Sequence, residues 1–236
     1  MTDFQTIQRV ITLLQSEDGM DGYAALNKLR AEAPNEVLES VVSLLRFPEE
    51  TVRRRAGGAL SSFRLAGVDM QPYAAALAEN LEQGLDPRVR VSCAILLMSV
   101  KGLIVDQAYL HALRDPEPRI AQLACLEVGD RGGSEGTAAL FGMLNHSHWR
   151  VRLEACKALI TQKTADQRVV STLESMGQEP EAAVYDAENE DNAEAMQLLM
   201  ETCGHGDDID KCWGKLDTII RRARHVANQA GSDRTN

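Results

Sequence analysis

The residues best suited to chemistry fall into four groups. Cys203, His205 and Cys212, with Asp207, Asp208 and Asp210 among them, are of the types that bind zinc or iron. Zinc ligand sets pair Cys or His at short fixed spacings, and a fourth strong ligand is missing here. Cys212 also falls on an apolar stripe beside Trp213, so the segment reads as a loop followed by a core cysteine. His146 and His148 sit at an expected turn, where capping is the expected role. The run Gly129 to Gly136 has the glycine content of a phosphate cradle. It lacks the Lys-Ser/Thr ending and the preceding strand of a Walker loop, so it reads as a turn. Cys93, Cys125 and Cys156 lie among Ala and Leu with no His placed to activate them, and no Ser/His/Asp pattern is visible. The reading therefore leans away from an enzyme and calls for no metal and no cofactor.

The elements that position these residues are helical. Of 236 residues, 29 are Ala and 27 are Leu, against only 10 aromatics. That balance favours helices and argues against a β-sandwich or barrel. Four stretches align: PEETVRRRAGGAL (48–60), DPRVRVSCAILL (86–97), DPEPRIAQLACL (115–126) and HWRVRLEACKAL (148–159). In register they place Val52, Val89, Pro118 and Val151 before Arg53, Arg90, Arg119 and Arg152, at spacings of 37, 29 and 33 residues. A period in this range signals stacked helical hairpins. Asp86-Pro87 and Asp115-Pro116 put an N-capping carboxylate before a proline at the first helical position. Val89, Cys93, Leu96 and Leu97 then form one apolar stripe. Upstream of each stretch lies a second amphipathic segment: about 36–46, 71–83, 104–114 and 136–145.

These paired helices resemble HEAT repeats, in the short bacterial form whose second helix opens Asp-Pro-x-Val-Arg. The resemblance covers about 35–162; an N-terminal pair (about 3–15 and 21–31) matches less well. His148 departs from the family's turn acid, and Pro118 from its Val. The resemblance implies an all-α fold, a right-handed α-solenoid of about five to six hairpins with a C-terminal capping helix. It further implies a ladder of ion pairs between repeats made by Asp86, Arg90, Asp115, Arg119 and Arg152. The expected organisation is an array over 1–176, with 177–236 adding an acidic segment and capping helices continuous with it. Residues 179–194 hold seven acids and no Lys or Arg and read as a solvated linker. A helix near 191–203 follows, and then a final helix over about 207–229, the cap, with Trp213 as its anchor.

Charge and targeting narrow the function. Net charge is −10, which disfavours nucleic acid as a general partner. The N-terminus has no signal-peptide pattern, no apolar run approaches about 18 residues, and five cysteines are scattered along the chain, so a cytoplasmic location without a membrane is expected. Deoxyhypusine hydroxylase, a HEAT-repeat enzyme, holds iron through His-Glu pairs; none of His111, His146, His148, His205 and His225 is followed by Glu. DNA glycosylases of related architecture need a cationic groove and aromatics, which the composition opposes.

In HEAT arrays the second helices line the concave face. The outward positions there, Arg54, Arg55, Arg88, Trp149, Arg150 and Glu154, are the candidate partner contacts, with Trp149 read as exposed. Trp and Arg are the commonest interface anchors. The favoured function is a non-catalytic protein–protein interaction scaffold or adaptor. The alternative, also from the resemblance, is a phycobilin lyase-like protein or chromophore chaperone acting on antenna proteins. The partner's identity and the oligomeric state stay open.

Overall fold

A second proline two positions further on changes how a helix begins. At Asp86 the side-chain Oδ1 accepts from the backbone N–H of Arg88 at 2.9 Å, and the helix opens at Pro87. At Asp115 the same Asx contact forms, to the N–H of Glu117 at 2.8 Å. There the helix opens only at Pro118, because a residue preceding proline is disfavoured in the helical region. A computed structural model of the chain describes residues 4–16, 19–32, 34–188 and 215–232. Among the described residues the chain is all-α, with no strand. It divides into two units, Met1–Ile120 and Ala121–Asn236.

The first unit holds α1 (Phe4–Leu14), α2 (Gly19–Glu32), α3 (Pro34–Ser43), α4 (Glu50–Leu65), α5 (Ala74–Gln83), α6 (Pro87–Leu97) and α7 (Leu103–Ala112). First helices α5 and α7 lie side by side, as do second helices α4 and α6, so each hairpin is covered by its neighbour. The shared core is a thin seam: Val52, Ala56, Ala59, Leu60, Leu77, Leu81, Val89, Cys93, Leu96 and Leu97 are buried. Small residues set the spacing of the helices. A Cβ added at Gly57 of α4 would stand 3.0 Å from Ser92 Oγ of α6. Tyr109 of α7 is fully buried, and its hydroxyl donates to the Ala94 carbonyl at 2.6 Å. Gly102, at φ +127°, supplies the turn into α7 that a residue with a side chain would enter only under strain.

The second unit begins within α8 (Pro118–Arg131) and continues with α9 (Ser134–Met143), α10 (Trp149–Thr161), α11 (Gln167–Met176), α12 (Pro180–Glu188) and α13 (Leu216–Ser232). The glycine-rich run is accounted for here by packing. A Cβ at Gly129 would approach Ala158 Cβ to 2.6 Å, and one at Gly136 would meet Val128 Cγ1 at 2.9 Å. Gly132 and Gly133 carry positive φ in the turn between α8 and α9. Gln162, the residue that follows α10, closes that corner, donating to the Val128 and Gly129 carbonyls at 3.2 and 3.0 Å. The Asp166 side chain caps α11, accepting from the Arg168 N–H at 2.9 Å. Burial alone would raise its carboxyl pKa, but the Arg168 guanidinium and the backbone N–H groups of Arg168 and Val169 hold it below the usual Asp value.

One expectation changes in this unit. Residues 180–188, read from their acids as solvated linker, form helix α12. Glu179-Pro180 is one more acid–proline pair opening a helix, and Ala182 and Tyr185 bury its inner face. The final helix α13 packs on α10, α11 and α12, burying Leu216, Ile219 and Ala223, and the Asp186 carboxylate accepts the Leu216 N–H at 2.8 Å. Trp213, expected as its anchor, lies outside the described residues, as does the helix expected near 191–203.

Candidate interaction surface

One arginine position recurs on the second helices with the same double task. Arg53 donates from Nη1 to the Phe47 and Pro48 carbonyls at 2.8 and 2.7 Å. Its Nη2 stands 3.9 Å from Asp86 Oδ2 in the next turn. Arg90 donates to the Gly84 carbonyl at 2.9 Å and grips both oxygens of Asp115 at 2.9 Å. Arg152 donates to the His146 and Ser147 carbonyls at 2.9 and 3.0 Å, and to the Glu179 carboxylate at 2.6 and 2.7 Å. Each guanidinium thus closes the carbonyls of its own turn and reaches the acid of the following one. The planar five-donor fork of arginine suits this geometry, and lysine could not match it.

Arg119 takes no such place. With α8 starting at Pro118, Arg119 falls in the first turn of its helix. It is exposed and forms no ion pair among the described residues. Glu179, not singled out as a ladder residue, is the partner of Arg152. The signal for it was the proline at 180, which repeats the acid–proline pairs at 86–87 and 115–116.

The candidate partner contacts divide. Arg54, Arg88 and Arg150 are exposed. Arg54 lies 3.7 Å from Glu50 on its own helix, Arg150 reaches Glu188 at 2.6 Å, and the Arg88 side chain has no ion pair among the described residues. Arg55 turns the other way, capping the end of α1 through the Leu14 and Ser16 carbonyls at 2.7 and 2.6 Å. Glu154 is half-buried and pairs with Lys157 at 3.2 Å.

Trp149 corrects the sequence reading outright: it is 5% exposed. Its ring packs on Tyr185 of α12 with centroids 5.5 Å apart, and its Nε1 donates to the Met176 carbonyl at 3.4 Å. The indole is therefore spent on joining α10 to the end of α11 and to α12, a geometry enriched for aromatic pairs. Lys157 Nζ lies 5.2 Å from the Tyr185 ring centre. Burial pushes the Tyr185 phenol pKa up, and Lys157 partly offsets this.

The buried thiols fit packing. Burial raises Cys93 and Cys156 to about 12 and raises Cys125 as well, so they stay protonated near neutral pH. Among the described residues no group of three or more His, Cys, Asp or Glu stands close enough to hold a metal. Cys203, His205, Asp207, Asp208, Asp210 and Cys212 lie outside those residues. No described helix is long and apolar enough to cross a membrane.

Helical hairpins with an acid–proline turn and a recurring arginine define a helical-repeat protein. Comparison with known proteins agrees: residues 107–189 match the family model of HEAT repeats. Over those residues the chain is similar to HEAT repeats. Among solved structures it is similar in fold to YibA of Escherichia coli, with a TM-score of 0.59 at 14% identity over 96% of this chain and 82% of that one. Matches of lower TM-score include an engineered protein (0.43, 15% identity, 94% and 97% covered). Another is human deoxyhypusine hydroxylase in complex with glycerol (0.41, 16% identity, 95% and 75% covered). No curated protein sequence matches the chain.

Proposed function

We propose that the chain is a non-catalytic interaction scaffold of the cytoplasm that offers the exposed residues of its second helices to a partner protein. The observation that carries this reading is the division among its arginines. Arg53, Arg90 and Arg152 are bound into the turns, whereas Arg54, Arg88 and Arg150, on the same helices, stay exposed. HEAT repeats generally mediate protein interaction, which supports the same reading. Within each unit the exposed arginines stand on packed helices, so binding there costs little ordering entropy, and arginine is among the commonest interface anchors.

The test is affinity capture from source lysate with the wild type and the R54E/R88E/R150E variant. The wild type is expected to retain a specific protein that the variant loses by about tenfold or more, with unchanged helix content and thermal midpoint. Equal retention by both proteins, or no specific protein retained by the wild type, would contradict the proposal.

A further inference from the structure

The outermost hairpin carries a second surface of different character. Between α1 and α2 opens a cleft of about 460 Å³ to which Leu13, Ala25 and Leu29 give an apolar lining and Arg9 and Lys28 the charge. Among the described residues no carboxylate lines it, and α1 contains no acidic residue. Arg9 and Lys28 are exposed and form no ion pair among the described residues. Arg88 and Arg119 likewise form no ion pair among the described residues, whereas Arg46, Arg90, Arg131, Arg150, Arg152 and Arg224 all reach a carboxylate within 3.1 Å. With 35 acids against 25 bases, carboxylates are plentiful, yet among the described residues none pairs with these two cations beside the apolar cleft.

We propose that the α1–α2 cleft docks an acidic amphipathic segment of a partner protein. Apolar side chains of the segment pack on Leu13 and Leu29, while its carboxylates pair with Arg9 and Lys28, the helix-in-groove mode of peptide recognition with added charge complementarity. A nucleic acid is the poorer fit. Two cations neutralise few phosphates against a net charge of −10, and Leu13, Ala25 and Leu29 offer no aromatic face for base stacking. The inference shares with the reading above only that the partner is a protein; the surface is a separate one.

The test uses a fluorescein-labelled synthetic helical peptide of about 15 residues, with leucines on one face and glutamates on the other, followed by anisotropy. The wild type is expected to bind it and R9E/K28E to bind at least about tenfold more weakly, with unchanged far-UV circular dichroism. R54E/R88E/R150E is expected to bind the peptide as the wild type does. A peptide with lysines in place of the glutamates is expected not to bind. The inference is overturned if the wild type does not bind the acidic peptide, or if R9E/K28E binds it equally. It is also overturned if an oligonucleotide displaces the peptide from the cleft. Self-association in sedimentation that R9E/K28E abolishes would assign the cleft to a second copy of the chain instead. Because the capture experiment above reads only the triple variant, either proposal can fail without the other.

Discussion

Asp115→Ala is expected to lower the free energy of unfolding by about 3–5 kcal/mol, the range for removing one partner of a buried ion pair. The side chains of Arg90 and Asp115 are only 11% and 9% exposed, so solvent screening gives little relief. The variant leaves the Arg90 guanidinium facing an emptied site and also loses the contact from Asp115 Oδ1 to the Glu117 N–H. Removing both charges is milder. The R90M/D115L variant is expected to recover a large part of the loss, because a buried charge without its partner costs more than an apolar pair in its place. Urea unfolding of the wild type, both single variants and the double variant measures this. A loss under about 1 kcal/mol for Asp115→Ala would place the pair with ordinary surface bridges and contradict the account of the turn.

Trp149→Ala is expected to cost about 3–5 kcal/mol of stability, as for other buried large aromatics truncated to Ala. The substitution removes the ring that packs on Tyr185 and opens a cavity where α10, the end of α11 and α12 meet. Trp149→Phe keeps most of the apolar volume and is expected to lose less, while retaining the captured partner as the wild type does. That outcome separates a packing role from an interface anchor. If Trp149→Phe kept full stability and lost the partner, the indole would be a contact residue and its burial in the free chain incidental.

What could be read from the chain was the part that repeats. The apolar spacing of Val89, Cys93, Leu96 and Leu97, the Asp-Pro turns and the recurring arginine are local patterns, and the hairpins from 34 to 176 follow them closely. The errors arose where one residue's role depends on a neighbouring repeat. Trp149 begins its helix at a position that looks outward in isolation, and only the presence of α12 covers it. That helix was itself hidden, because seven acids over 179–194 outweighed the single acid–proline pair at its start. Pro118 worked the opposite way. The aligned arginine predicts a rung at Arg119, but the delayed helix start turns it to solvent. Arg55 and Arg54 are adjacent in sequence, and no local pattern distinguishes the one that caps α1 from the one left exposed.

The central claim is that the exposed second-helix arginines, rather than those bound into the turns, meet the partner. Its most direct measurement is arginine labelling with phenylglyoxal on the free chain and on the complex with the captured partner, read by mass spectrometry. The account predicts that Arg54, Arg88 and Arg150 label in the free chain and lose labelling in the complex, whereas exposed Arg221 on α13 labels equally in both. Unchanged labelling of Arg54, Arg88 and Arg150 in the complex would contradict it.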